Sequence, residues 1–358
     1  MRISKLSGVL VIFFCFTVFF GVSNTHAAPD SFKLCPQNCE AVLHLDIKAL
    51  KGFIEKNNLA GQFKDQIEKI KNLSSVDIFK DINSFTAVLA DIASYKAGKN
   101  PQGAFLFEGY FRSGEIEKKL SEAGLKIETI ESVKMFKLDE DVYLAMPSDK
   151  FLVYGNLSEI KAIGALIASK EKNNIEKDVF FQKEINMADL GGKYFTLTVK
   201  LPKVLSELAT SIAKINKEQA VFSNLEGFVA AASGTDLFFK YIYQDKEAAV
   251  RGVNSAKDFM EKGFSQIAYN AKKITDSGID KAKVAVERFN FVKSGLLLML
   301  KLKETMAIEQ KDKSVYINFN LTMAEKETGD FVNSLFAAFI SLLVKEETKT
   351  TAAPATGN

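Results

Sequence analysis

Histidine, cysteine and proline are scarce in this chain: two, three and six residues among 358. Each scarcity excludes something. So little proline, beside 47% apolar residues and 30 phenylalanines, argues against a disordered chain and supplies material for one large core or two domains. With His26 placed in a leader (below), any Ser–His–Asp or Cys–His machinery must use His44. No G-x-S-x-G stretch supplies a nucleophile, and no Walker, dinucleotide-binding or calcium-loop pattern is present. Two S-x-x-K matches, Ser158–Lys161 and Ser211–Lys214, lack the accompanying K-T-G element and are what abundant lysine produces by chance. The acids Asp139, Glu140 and Asp141 read as a solvated turn. No catalytic, cofactor-binding or metal residue is assigned, and no cofactor is expected.

The first 27 residues have the three parts of a secretory leader. Arg2 and Lys5 open it, Leu6–Val22 is nearly uncharged and apolar, and Thr25-His26-Ala27 is a small-residue cleavage signal. The run is short for a membrane span and has no basic stop-transfer flank. Cleavage is expected after Ala27, with Ala28 as the alternative, and Cys15 is lost with the leader. The remaining 331 residues carry 45 basic against 44 acidic side chains, a net charge of +1. Such a balance has no field for nucleic acid or an anionic membrane. The expected location is periplasmic or secreted.

Next comes a weak internal repeat. Ala41–Ile47 alternates as a strand and passes into a helical pattern, and Lys193–Val199 does the same before Pro202 and a helical run to about Ile215. Asp46 and Thr198 fall at matching places as helix caps. Two strands follow in each copy: Ser84–Ala90 and Gly103–Phe111, then Gly227–Ala232 and Asp236–Tyr243. Each copy continues into a charged helix, a hairpin with a polar turn, and an apolar helix. The pattern predicts an α+β fold, two pseudo-repeated units of mostly antiparallel sheet with helices on one face. The boundaries are 28–39 for the N-terminal segment, 40–170 for the first unit, 171–192 for a linker containing Gly191-Gly192, 193–344 for the second unit and 345–358 for a disordered tail. A helical-hairpin insertion occupies 246–303 of the second unit. Its part 279–303 also supports a strand, because Lys281–Phe289 alternates.

The cysteines that survive leader removal, Cys35 and Cys39, stand four apart in LCPQNCEAVLHLD. In an exported chain the expectation is one disulfide, worth about 2 kcal/mol for so small a loop, pinning the N-terminus beside the first strand. Free or intermolecular thiols are the alternative. A redox pair needs a two-residue spacing, and a metal site would need a carboxylate such as Glu40 or Asp46 beside Cys35, Cys39 and His44. His44 itself reads as a half-exposed strand residue facing away from Leu43 and Leu45.

Phe331–Val344 is apolar on most of its circumference but only 14 residues long. A span needs about 20, so a buried helix or one seated on a partner is expected, with no transmembrane segment after leader removal. The strand–Asp–helix opening, Ala41–Gly52, and the closing strand–helix pattern, Ser314–Phe339, resemble uncharacterised secreted bacterial proteins with two related α+β halves. That resemblance implies the architecture and no activity. The expected function is an exported, non-enzymatic binding or scaffolding protein whose partner is an envelope protein or a hydrophobic ligand. A carrier of a lipid or other hydrophobic ligand, and a hydrolase with an unrecognised carboxylate or serine site, are the alternatives.

Overall fold

The computed structural model describes residues 30–48, 68, 71, 75–91, 102–122, 124–130, 133–168, 174–184, 195–203, 205–207, 210–211, 222–232, 236–276, 286–320, 326–327 and 330. The expected leader, half of the expected 171–192 linker, the expected apolar helix 331–344 and the expected tail lie outside these residues, as do Gly191-Gly192 and most of the expected helical run after Pro202.

Strand β1 (Ala41–Asp46) shows why the sheet forms. Its side chains alternate between two apolar clusters: Val42 packs with Val88, Leu106 and Ile160, while Leu43 and Leu45 pack with Ala87, Phe195 and Ala230. A strand apolar on both faces is driven into the middle of a sheet. β1 pairs antiparallel with β2 (Ile82–Leu89) on one side and β8 (Phe195–Lys200) on the other, with His44 opposite both Thr86 and Thr196. Beyond β2 lie β3 (Gly103–Gly109), β7 (Phe151–Gly155), β6 (Val142–Ser148), β5 (Val133–Asp139) and the edge strand β4 (Ile127–Ile130). Beyond β8 lie β9 (Leu225–Ala232), β10 (Asp236–Tyr243), β12 (Ser314–Asn320) and the edge strand β11 (Ala307–Lys311). The described residues thus form one continuous twelve-stranded antiparallel sheet, and the fold is α+β. The seam between the two expected units is the β1–β8 ladder.

The helices are divided between the faces rather than collected on one, because β1 and its neighbours need cover on both sides. One face carries α1 (Ile78–Asp81) at a strand end, α2 (Ser113–Glu122), α5 (Lys246–Asp276) and α6 (Val286–Lys303). The other carries α3 (Leu157–Ile167), α4 (Val179–Glu184) and two 3-10 turns, η1 (Asp30–Leu34) and η2 (Ile175–Lys177). The long α5 lies against β10, β11 and β12 through Ala249, Ala256 and Phe264. Its approach depends on Gly252: a Cβ there would stand 2.5 Å from the ring of the buried Tyr243. The ambiguous 279–303 segment is helical from Val286 onward, and its buried Ser294, Leu298 and Leu302 follow the four-residue spacing of a helix face. Among the described residues, no helix is long and apolar enough to cross a membrane.

Candidate functional site

At one end of the sheet, β8 stops, β9 starts, β10 stops and β12 starts side by side. Lys200, Glu226, Gln244 and Lys313 project there. Together with Val179 and Phe180 of α4, and Leu201, Lys203, Ser206 and Glu207 after β8, they line an open cavity of about 520 Å³. The described part of the segment read as a linker, 174–184, supplies its wall through Val179 and Phe180. Asp178 fixes that wall: its Oδ1 accepts the N–H groups of Phe180 (2.8 Å) and Phe181 (3.3 Å), which is N-cap geometry. Its Oδ2 takes the Lys200 Nζ at 2.7 Å. Phe181 and Ile175 are buried in the core, so α4 is anchored by apolar contact as well. Gly227 completes the fit, because a Cβ at that position would meet the Phe180 ring at 2.5 Å.

The cavity lining mixes apolar and charged residues. Phe180, Leu201 and the exposed Val179 supply the apolar lining. Lys313 pairs with Glu226 at 2.8 Å, and Lys203 stands 3.8 Å from Glu207. The lining charges are therefore mixed and mutually compensated, and Ser206 is occupied as well, donating to the Leu225 carbonyl at 2.7 Å. The volume falls in the range of small-ligand sites, while seven of the ten lining residues are polar or charged.

His44 does not reach it. The imidazole is 1% exposed, not half-exposed, because η1 covers this face of β1. Its Nδ1 lies 2.9 Å from Thr86 Oγ1 and 3.3 Å from Ser31 Oγ, and the Thr86 hydroxyl donates to Ser31 at 2.9 Å. Phe32 packs against the ring with centroids 5.6 Å apart. Burial lowers the His44 pKa to about 3, so it is a neutral, packed member of a hydroxyl network.

Cys35 and Cys39 are separate thiols, each 1% exposed, and the expected bridge is not formed in the structure. Burial pushes both thiols up. Cys39 opposes its neighbour's ionisation, and Asp178 and Glu159 act on Cys39 in the same sense. Glu159 on α3 is itself 4% exposed, its pKa is raised by burial, and its Oε2 has no hydrogen-bond partner among the described residues. Among the described residues, no group of three His, Cys, Asp or Glu side chains is arranged to hold a metal ion. Thr198, expected to cap a helix, sits inside β8 opposite Val42 and Val229, and its buried Oγ1 has no hydrogen-bond partner among the described residues. The strand runs two residues beyond it, and the next helical turn closes instead on the Pro202 carbonyl, which accepts from Leu205 and Ser206. Asp46 ends β1 immediately before helical residues Ile47 and Lys48.

Local sequence gave no signal for Lys200, Glu226 and Lys313, which are brought together by strand pairing. The one local clue was Asp178 before Val-Phe-Phe, a capping residue ahead of an apolar turn.

No family model matches the chain, and no curated protein does. Among solved structures it is similar to TP0453. Crystal form III aligns with a TM-score of 0.41 and 12% identity over 85% of this chain and 97% of that one. Form IV gives 0.40 and 8% over 86% and 97%, and form I gives 0.37 and 11% over 83% and 97%.

Proposed function

We propose that this chain is an exported, non-enzymatic binding protein whose ligand occupies the cavity at the β8–β9–β10–β12 end. The observation that carries the reading is the cavity: about 520 Å³, open, and lined by Val179, Phe180 and Leu201 together with compensated charges. Its volume falls inside the roughly 300–1,000 Å³ range of small-ligand sites. A ligand of one charge sign meets as much repulsion as attraction there. The fitting chemistry is an amphipathic molecule of mixed charge, with an apolar part on Phe180 and Leu201 and polar ends among Lys200, Lys203, Glu226 and Lys313. The sequestration of His44 supports binding over hydrolysis, since the one histidine beyond the leader is held in a buried hydroxyl network.

A second reading, a carrier of hydrophobic ligands, is favoured by the opposite face. Phe85 stands 5.6 Å from Phe105 and 5.2 Å from Phe107, and Phe105 stands 5.8 Å from Tyr154. These four rings are only half-buried. Export and the two pseudo-repeated units belong to the same proposal: outward from the β1–β8 seam, strands are added in chain order on both sides until β3 and β10. Recovery of the leader-cleaved chain from its own envelope fraction, followed by mass spectrometry of extracted small molecules and lipids, tests the two readings together. A co-purifying mixed-charge compound supports the cavity, and a fatty or lipid species supports the aromatic face. A chain that yields neither speaks against both.

A further inference from the structure

The two cysteines sit where the N-terminal segment grips the cavity wall. Ile175 N–H donates to the Cys35 carbonyl at 2.8 Å, Pro36 bridges to Asn174, and Asn174 Nδ2 donates to the Lys33 carbonyl at 3.1 Å. η2 leads through Asp178 straight into α4, the wall of the cavity. A turn closed by Cys39 N–H to the Pro36 carbonyl, 3.2 Å, carries Cys39 back toward Cys35. Both thiols enter one apolar cluster, with Phe32, Val42, Ile160 and Ile175. No other cysteine lies beyond the leader.

We propose that Cys35 and Cys39 close a disulfide while the chain folds, before this grip forms, and that the bond then fixes the wall of the cavity. The two thiols give up two protons and two electrons to a disulfide oxidant, such as a thiol–disulfide oxidase or glutathione disulfide. The oxidant's S–S bond is reduced to two thiols, and a mixed disulfide at one cysteine is resolved by the other. The order follows from burial. Exchange requires an accessible thiolate, and the folded dithiol offers neither access nor easy ionisation. The staple itself is independent of the cavity reading. Only its consequence for the wall as a binding surface rests on that reading.

The test uses the leader-cleaved chain, unfolded and reduced, then refolded either in a glutathione–glutathione disulfide buffer or under reductant. The second sample is afterwards exchanged into glutathione disulfide without unfolding. Both are denatured in an alkylating reagent and weighed. The oxidative refold is expected to carry no alkylated cysteine, and the folded dithiol is expected to keep two for hours. Hydrogen exchange at the amides of Ile175, Lys177 and Asp178 is expected to be about tenfold slower in the bridged protein than in the dithiol. Two labelled thiols, glutathione adducts or cross-linked dimers after oxidative refolding would overturn the staple. Rapid bridging of the folded dithiol would overturn the order of events, and equal exchange at the three amides would overturn the effect on the wall. A Cys39→Ser chain, if it folds, should exchange like the dithiol. Failure of the cavity reading alone leaves the exchange difference intact and abolishes only ligand recovery.

Discussion

Replacing His44 with glutamine removes a titrating group from the middle of the sheet and leaves a polar side chain beside Thr86 and Ser31. In the unfolded chain the imidazole takes a proton near pH 6.5, whereas in the folded chain burial holds its pKa at about 3. Between those values the unfolded state binds a proton that the folded state refuses. The stability contributed by neutral His44 is therefore fully present above pH 6.5 and is lost as the pH falls toward 3. The slope is at most about 1.4 kcal/mol per pH unit, which gives roughly 2 kcal/mol lost by pH 5 and about 4 kcal/mol by pH 3. The assay is urea unfolding followed by far-UV circular dichroism, which suits a chain without tryptophan, at pH 7.5, 6 and 5. His44→Gln should start less stable at pH 7.5, by about 1–3 kcal/mol for the disturbed hydrogen bonds. It should then converge on the wild type by about 2 kcal/mol at pH 5, because carboxylate titrations common to both chains cancel in the difference. Stability curves that stay parallel from pH 7.5 to 5 would refute the reasoning, since they would mean that folded His44 takes up its proton as freely as the unfolded chain.

Three further outcomes follow from named contacts. Gly252→Ala puts a methyl into the Tyr243 ring and should destabilise the chain by about 1–3 kcal/mol, whereas the exposed Gly263, with open space around it, should tolerate alanine; thermal melts compare the two. Thr198→Val removes a buried hydroxyl that has no partner among the described residues and should raise stability by about 1 kcal/mol in urea titration, and a loss of that size would reveal a partner for the hydroxyl. The raised pKa of Glu159 makes folding favour its protonated form, so that stability is lost as pH rises through the folded value. Glu159→Gln should therefore raise the melting temperature at pH 8, with the gain fading toward pH 4; a gain independent of pH would place the effect elsewhere.

The fold was legible where each strand carries its own alternation, as in Ala41–Asp46, Gly103–Gly109 and Ser314–Asn320. β4 and β5 escaped notice because they form an edge hairpin: β4 is mostly exposed, and β5 mixes lysines with its apolar residues. Nothing local announces the β1–β8 ladder, which joins residues 150 or more positions apart, so a continuous sheet and two lobes looked alike in sequence. The same ladder explains His44. Alternation correctly sets it opposite Leu43 and Leu45, but only the tertiary placement of η1 buries it. Thr198 was misplaced because its helix-like context begins at Pro202, while strand pairing with Val42 and Val229 carries β8 to Lys200. The cavity was invisible for a related reason: its paired charges come from strand ends far apart in sequence, and its wall comes from a segment whose charged start reads as linker.

The most direct test is native mass spectrometry of the envelope-recovered chain beside a charge-swapped chain, Glu226→Lys with Lys313→Glu. The swap preserves the ion pair and costs little stability, because a partly exposed pair is worth about 0–1 kcal/mol. It reverses the field on one side of the cavity. The account predicts a bound mass on the wild type that is lost from the swapped chain at equal circular dichroism. The same bound mass on both chains, or none on either, would contradict it.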